Sequence, residues 1–555
     1  MQPDADPAEE VGRTAVVFVH GMGSQKRLGD LSYLVEVLDH RASLTERGRL
    51  RGIDVKLEPA LPADAPVTYV EATWLPIDPV TTTKTDFKVV RFYEAYWAPI
   101  AAIGVPKWQV VRWMFSQVLK PVGALRAPWR DRARLRRSVL ASMEQVPDAT
   151  RQTLFQAYDD FDGDDARRRF PKGGLSEFQQ LVANENENSE SLRQVIASWH
   201  SAYRWSEIRN LALLLTLAVA ILSLAGLALL TLIQLVAVLD GSNPLEFDLG
   251  ETASFAADHR EVLLLLVGTL IAVIPIGGFL ESYLGDVQMW ATYEETNVRY
   301  RMRKDIMETT CKLIRHVVDN EKVSRVVVVS HSLGTAIAMD SLLRLARDAR
   351  AVSSFDKDLR KITHFVTYGS PIDKIHYLFE ESGQRGHRYN RIVEDLRGDV
   401  GTAPFGQNGK RYMHWINFWD RADLIAGPLE TPCNRRHPEL RIDNVQVHGS
   451  LLPGGAHTGY LHQDEVADAL IDVIFFRNSG RNDATHADDS PDVGPGHDSR
   501  WVSFVHLTAG VVVWALALWL VSVAIADRMD LAVWTAIGLG LAVGLVQTIA
   551  KLRRR

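Results

Sequence analysis

The chain is nearly without cysteine: it has two in 555 residues, Cys311 and Cys433, far apart and in no metal-ligand spacing. That excludes a disulfide framework and fits a reducing compartment. There is no HExxH, no pair of CxxC motifs and no P-loop, so neither a metal ion nor an organic cofactor is expected. Excess positive charge is absent too, with 62 Lys and Arg against 68 Asp and Glu and a formal net charge of -6. A nucleic-acid binder relying on bulk charge is thereby excluded. The opening MQPDADPAEEVGR is acidic and lacks an apolar h-region, so no secretory signal peptide is expected there. No internal repeat is visible, and no feature names a protein partner.

Long apolar runs, by contrast, are abundant. Leu211–Leu239, Val262–Leu280, Trp501–Ala526 and Leu531–Ala550 contain no Asp, Glu, Lys or Arg. Each reaches the roughly 20 residues a helix needs to cross about 30 Å of hydrocarbon. Four transmembrane helices in two hairpins are therefore predicted, with the lipid bilayer as partner. Gly540 and Gly544 form a GxxxG in the last run, a spacing that permits close helix packing. Basic residues flank the ends opposite the closing loops: Arg204 and Arg209, then RYRMRK, then KLRRR. The positive-inside rule places both termini and the region between the hairpins in the cytoplasm, on a multi-pass inner-membrane protein.

The chain is too long for one ordinary domain, and its 46% apolar content is ample for a core. The expected order is a tail at 1–13, soluble chain at 14–205, a hairpin at 206–284, soluble chain at 285–478, a linker at 479–500 and a hairpin at 501–555. The linker is polar and Gly/Pro-containing, without apolar periodicity. In the second soluble part, helices are expected at about 290–318, 333–348 and 463–476. Strands are expected at 325–330, ITHFVTY, MHWINFW and RIDNVQV. Continuous apolar strands alternating with helices predict an α/β fold with a mainly parallel sheet covered on both faces.

In VVVVSHSLGTAIAMDSLLRLA, from Val326, a β-branched strand meets a helix-forming run through Ser330-His331-Ser332-Leu333-Gly334. A strand entering a helix through small-x-Ser-x-Gly makes a sharp corner with the central side chain at its tip. Ser332 is thus a candidate nucleophile. The helix N-terminus and the Leu333 N–H suit a developing oxyanion. A second apolar strand, AVVFV, runs into His20-Gly21-Met22-Gly23, a loop able to turn the Met22 N–H toward the nucleophile.

These two motifs, in this chain order, resemble the lipase and esterase branch of the α/β-hydrolase superfamily. The resemblance covers about the first thirty residues and 322–477. It implies a triad in the order Ser, Asp, His: Ser332, an acid after the strand HWINFW, and a base after the last strand. Asp423, in Asp-x-Ile-x-x-Pro, is the favoured acid and Asp420 the rival. His457, in the Gly-rich LLPGGAHTGY, is the expected base, with His448 and His462 weaker candidates. Two spans between the HG loop and the elbow depart from the simple soluble fold, but a hairpin insertion returns the chain to the side it left.

The expected function is a membrane-anchored serine hydrolase cleaving a carboxylic ester, lipid-like, through an acyl-enzyme on Ser332; an acyltransferase would use the same intermediate. A catalytically silent scaffold on the same fold is the alternative, since fold does not imply function. In Tyr96–Arg137, Trp97, Trp108, Trp113 and Trp129 precede or accompany Arg126, Arg130, Arg132, Arg134, Arg136 and Arg137. That pairing of aromatics with arginine predicts an interfacial cap on the cytoplasmic leaflet, against the alternative of an ordinary cap with inward tryptophans.

Overall fold

The computed structural model describes residues 13–21, 26–45, 48–58, 67–75, 88–101, 285–291, 298–351, 359–376, 403–407, 410–423, 425–429, 442–449 and 453–476, with isolated positions within 112–122 and 208–219. The chain divides into two compact units. One comprises Met1–Gly104, Ala124–Trp205 and Asp286–Ser499; the other comprises Val105–Gly123, Ser206–Gly285 and Arg500–Arg555. The second unit collects the segments that carry all four apolar runs. Those runs lie outside the described residues, apart from isolated positions before 220. Among the described residues no helix is long and apolar enough to cross a membrane.

The first unit is built on an α/β pattern. In chain order its elements are β1 (Arg13–Val19), α1 (Gly29–Leu44), β2 (Arg49–Glu58), β3 (Val67–Leu75), β4 (Lys88–Glu94) and α2 (Ala98–Ala101). After α3 (Gly285–Ala291) come α4 (Val298–Asp319), β5 (Val323–His331), α5 (Leu333–Ala351), β6 (Ile362–Tyr368) and α6 (Ile372–Lys374). There follow β7 (Gly406–Gln407), β8 (Lys410–Arg411), β9 (His414–Asp420), β10 (Asp443–Val447), α7 (Pro453–Thr458) and α8 (Asp464–Ile471). Eight strands form one sheet in the order β10-β9-β6-β5-β1-β4-β3-β2. From β10 to β4 every neighbour is parallel, whereas β3 runs antiparallel to both β4 and β2. The mainly parallel sheet expected from the apolar strands is therefore present, with an antiparallel margin that the strand pattern alone did not indicate.

Both faces of the central strands are dry. Successive side chains of a strand point to opposite faces, and Ala15, Val16, Val17, Phe18 and Val19 are all buried. Val16 and Phe18, paired in register with Val327 and Val329, share a core with Leu31, Leu34 and Leu38 of α1 and Val466 and Leu470 of α8. The opposite face meets α4 and α5. Arg41 of α1 grips Asp468 of α8 through two hydrogen bonds of 2.9 and 2.7 Å, which fastens the two covering helices together.

Because seven of the eight strands run the same way, their carboxyl ends share one edge of the sheet. His20 follows β1, Ser332 follows β5, Gly369 follows β6, and Asp420 closes β9. Crevices beyond the carboxyl ends of parallel strands are where α/β folds bind ligands.

Of the four tryptophans in the expected cap, Trp97 and Trp113 lie among the described residues. Trp97 is fully buried and stacked on His20, with ring centroids 4.8 Å apart and planes 10° apart. It faces inward because its indole N–H has a backbone acceptor there, the His20 carbonyl at 3.1 Å. Trp113 is also buried. Trp108, Trp129 and the six arginines lie outside the described residues.

Candidate active site

The corner between β5 and α5 is held in a conformation few residues adopt. Ser332 has φ of 51°, in the left-handed region that costs a non-glycine residue about 1–3 kcal/mol. Three hydrogen bonds sustain it: its N–H to the Tyr368 carbonyl (3.1 Å), the Thr335 N–H to its carbonyl (3.0 Å), and the Thr335 hydroxyl to the same carbonyl (2.6 Å). Having spent its proton there, Thr335 Oγ1 accepts from Ser370 Oγ at 2.8 Å. The glycine after the serine is obligatory. A Cβ on Gly334 would lie 2.3 Å from the Val19 carbonyl oxygen and 2.4 Å from that of His20.

That contact locks the start of α5 against the end of β1 and brings the HG loop to the nucleophile. A Cβ on Gly21 would stand 3.0 Å from Ser332 Cβ and from His331 Nδ1. His20 is buried, and burial lowers its pKa to about 4, partly offset by its bond to the Gly21 carbonyl. The ring is therefore neutral, and its tautomer follows from its partners. The Trp97 N–H donates to Nε2 (3.3 Å), so Nδ1 carries the proton and donates to the Gly21 carbonyl (2.9 Å). Met22 and Gly23 lie outside the described residues. Leu333, the other expected oxyanion donor, is buried at the first turn of α5, where helix N–H groups have no partner within the helix.

Three residues expected to work together are brought together. Ser332 Oγ is 2.8 Å from His457 Nε2, and His457 Nδ1 is 2.8 Å from Asp423 Oδ2. All three are buried, with at most 3% of their surface exposed. His457 sits on the short helix α7 rather than in the open loop expected from its glycines. Its carbonyl accepts from His331 Nε2 at 3.1 Å. Burial holds His331 neutral, with its pKa lowered to about 3, so the ring serves as a fixed donor that anchors the backbone of the base.

The rival acid is elsewhere. Asp420 is engaged by backbone: its Oδ1 accepts the Ala422 N–H (2.8 Å) and its Oδ2 the Gly449 N–H (2.7 Å). Asp423 Oδ1 takes the N–H groups of Ile425 (2.8 Å) and Ala426 (3.1 Å), which leaves Oδ2 for the histidine. Burial pushes the Asp423 carboxyl up, but the charge and hydrogen bond of His457, the Lys374 ammonium and the Ile425 N–H outweigh it and leave it below the ordinary value. The acid loop is itself tied down: Asn417 donates to the Gly427 carbonyl (3.2 Å) and Lys374 to that of Ala426 (2.9 Å). His462 lies away from the relay, with its ring nitrogens at 3.1 and 3.0 Å from the Tyr33 hydroxyl.

No family model, no curated protein and no solved structure matches the chain. A hydroxyl on a strained corner, hydrogen-bonded to an imidazole whose far nitrogen faces a buried carboxylate, is the arrangement that activates serine for acyl transfer.

Three participants escaped the sequence reading. Tyr460 donates to Asp423 Oδ2 at 2.9 Å, His331 braces His457, and Trp97 backs His20. Only His331 carried a signal, its place beside the serine. The other two are 37 and 77 residues from the partners they meet. Ser330 is fully buried near the end of β5. Among the described residues no cluster of His, Cys, Asp and Glu has the arrangement to hold a metal ion.

Proposed function

We propose that the chain is a membrane-anchored serine hydrolase of the α/β-hydrolase type, cleaving a carboxylic ester of a lipid-like substrate. The observation that carries this reading is the continuous relay from Ser332 Oγ through His457 to Asp423, with both links at 2.8 Å. A silent scaffold has no need to hold a serine in the left-handed region, in line with an imidazole and a buried carboxylate. The sheet order, with β1 central and a single antiparallel strand, β3, near one margin, supports the same reading. The four apolar runs support the membrane anchor, and the distribution of Arg and Lys supports a cytoplasmic face for the catalytic unit.

The chemistry follows from the bonds on hand. His457 Nδ1 donates to Asp423, so Nε2 presents a lone pair that takes the proton of Ser332 Oγ as that oxygen attacks the ester carbonyl. The resulting oxyanion is met by the Leu333 N–H at the start of α5. The imidazolium then returns its proton to the leaving alcohol oxygen as the C–O bond breaks. Water, deprotonated by the same nitrogen, attacks the acyl-enzyme, and the proton goes back to Ser332. Transfer of the acyl group to another alcohol in place of water requires no different residue.

A fluorophosphonate probe tests this directly, since only an activated hydroxyl attacks phosphorus quickly. In membranes holding the full chain, wild type should be labelled and Ser332→Ala should not. Equal labelling of the two would remove the nucleophile from Ser332, and an unlabelled wild type would favour a scaffold.

A further inference from the structure

The acid of the relay is held by more than the histidine it serves. Asp423 accepts four hydrogen bonds: the Ile425 and Ala426 N–H groups on Oδ1, and His457 Nδ1 and the Tyr460 hydroxyl together on Oδ2. The direction of the Tyr460 bond is unambiguous. A carboxylate can only accept, so the phenol donates to it at 2.9 Å and accepts the Asp420 N–H, also at 2.9 Å. The ring cannot swing away: it is 1% exposed, lies beside Tyr368 with centroids 5.9 Å apart, and would touch a Cβ on Gly369 at 3.0 Å. Burial and the adjacent Asp423 charge hold the phenol well above its usual range, so it keeps its proton.

Resting on the serine-hydrolase reading above, we propose that Tyr460 is a positioning residue: its hydroxyl, aimed by the backbone of Asp420, fixes the Asp423 carboxylate and shares its charge with His457. The two carboxylates three residues apart then act in series. The side chain of Asp420 grips the Ala422 and Gly449 N–H groups and so sets the end of β9; its own N–H aims Tyr460; Tyr460 orients Asp423; and Asp423 orients the base. A tyrosine present only to fill space would need neither of its hydroxyl bonds. The titratable groups facing Asp423 are His457 and Tyr460 from the segment after β10, Lys374 from α6, Asp420 from β9 and, beyond His457, His331 from β5.

The test is the fluorophosphonate labelling rate of full-length protein in membranes, measured against pH for wild type, Tyr460→Phe, Asp423→Asn and the double variant. Loss of one charge-assisted bond predicts labelling of Tyr460→Phe slower by about tenfold or more. Its acid limb should move to higher pH, because an unshared carboxylate holds the His457 imidazolium more tightly. The double variant should label at the rate of Asp423→Asn alone, since a residue acting through another adds nothing once that other is gone. A rate within about twofold of wild type, a limb that is unmoved or moves down, or losses that multiply in the double variant would each overturn the proposal. The limb position reports only folded molecules, so it decides the matter even if Tyr460→Phe lowers the folded fraction. An unlabelled wild type overturns the hydrolase reading and this one with it, whereas a labelled wild type with an unaltered Tyr460→Phe removes only the role of Tyr460.

Discussion

Replacing Asp423 by asparagine should slow turnover far more than the same change at Asp420. Asp423 Oδ2 accepts from His457 Nδ1 at 2.8 Å, and the backbone N–H groups of Ile425 and Ala426 bond Oδ1. An amide in this place keeps its oxygen toward those two N–H groups and turns its NH2 toward the histidine. The imidazole then must present a lone pair at Nδ1 and its proton at Nε2, the tautomer that cannot accept from Ser332. In triads of this kind such a change lowers turnover by about 10⁴-fold, which corresponds to roughly 5 kcal/mol at 1.36 kcal/mol per decade. At Asp420 the asparagine oxygen retains one of the Ala422 and Gly449 N–H bonds and loses the other, a stability cost of about 1–3 kcal/mol. Its effect on rate passes only through Tyr460, so a loss of about tenfold or less is expected. The assay is hydrolysis of a chromogenic ester, or probe labelling where the natural ester is unknown, beside thermal melting of the same preparations. Both variants should melt somewhat below wild type, Asp423→Asn because its NH2 leaves the Tyr460 hydroxyl without an acceptor, but Asp423→Asn should be nearly inactive and Asp420→Asn should remain active. The reverse ranking of rates would refute the assignment of the acid.

Three further outcomes are expected. Gly334→Ala should yield no folded protein in a solubility and melting assay, because its Cβ would meet two backbone oxygens at 2.3 and 2.4 Å that no side-chain rotation can clear. Glu94, buried at the end of β4 with its Oε2 on the Leu28 N–H at 2.5 Å, has its pKa raised from 4.5 to about 7, chiefly by burial and in part by Asp30. The folded state therefore binds this proton more tightly than the unfolded state, and stability falls as pH rises from about 4.5 through about 7. Glu94→Gln should flatten that stretch of the melting-temperature curve, and an unchanged slope would assign it to other groups. A reporter joined after residue 555 or placed within 480–500 should read cytoplasmic and one within 241–260 exterior, as the flanking Arg and Lys require.

The elements most readable in the sequence are those whose cause is local. The run Val326–Val329 has no polar residue to offer either face, so it can only be a strand buried on both sides, and it is. The corner at Ser332 was legible because small residues on either side of a serine are what a strand entering a helix at once can tolerate. The clash awaiting a Cβ at Gly334 shows the reason.

What lies between distant segments had to come from tertiary structure. Asp420 and Asp423 are both acids at the end of the same strand, and the Asp-x-Ile-x-x-Pro context favoured Asp423 only through resemblance, without a partner to show why. The choice is made where α7 carries His457 to one and the Gly449 N–H to the other is set by the end of β10. Trp97 looked fit for a lipid interface by type and neighbours, yet packing of β4 beside β1 turned it onto His20. The chain by itself determined which residues could do acyl-transfer chemistry and in what order they occur, because backbone geometry and periodicity act over a few residues. Only the folded sheet, which lays β1 against β5 and β9 against β6 across long stretches of chain, decided which of those residues meet. Pairing across such distances depends on how the whole core closes, a property no short window of sequence contains.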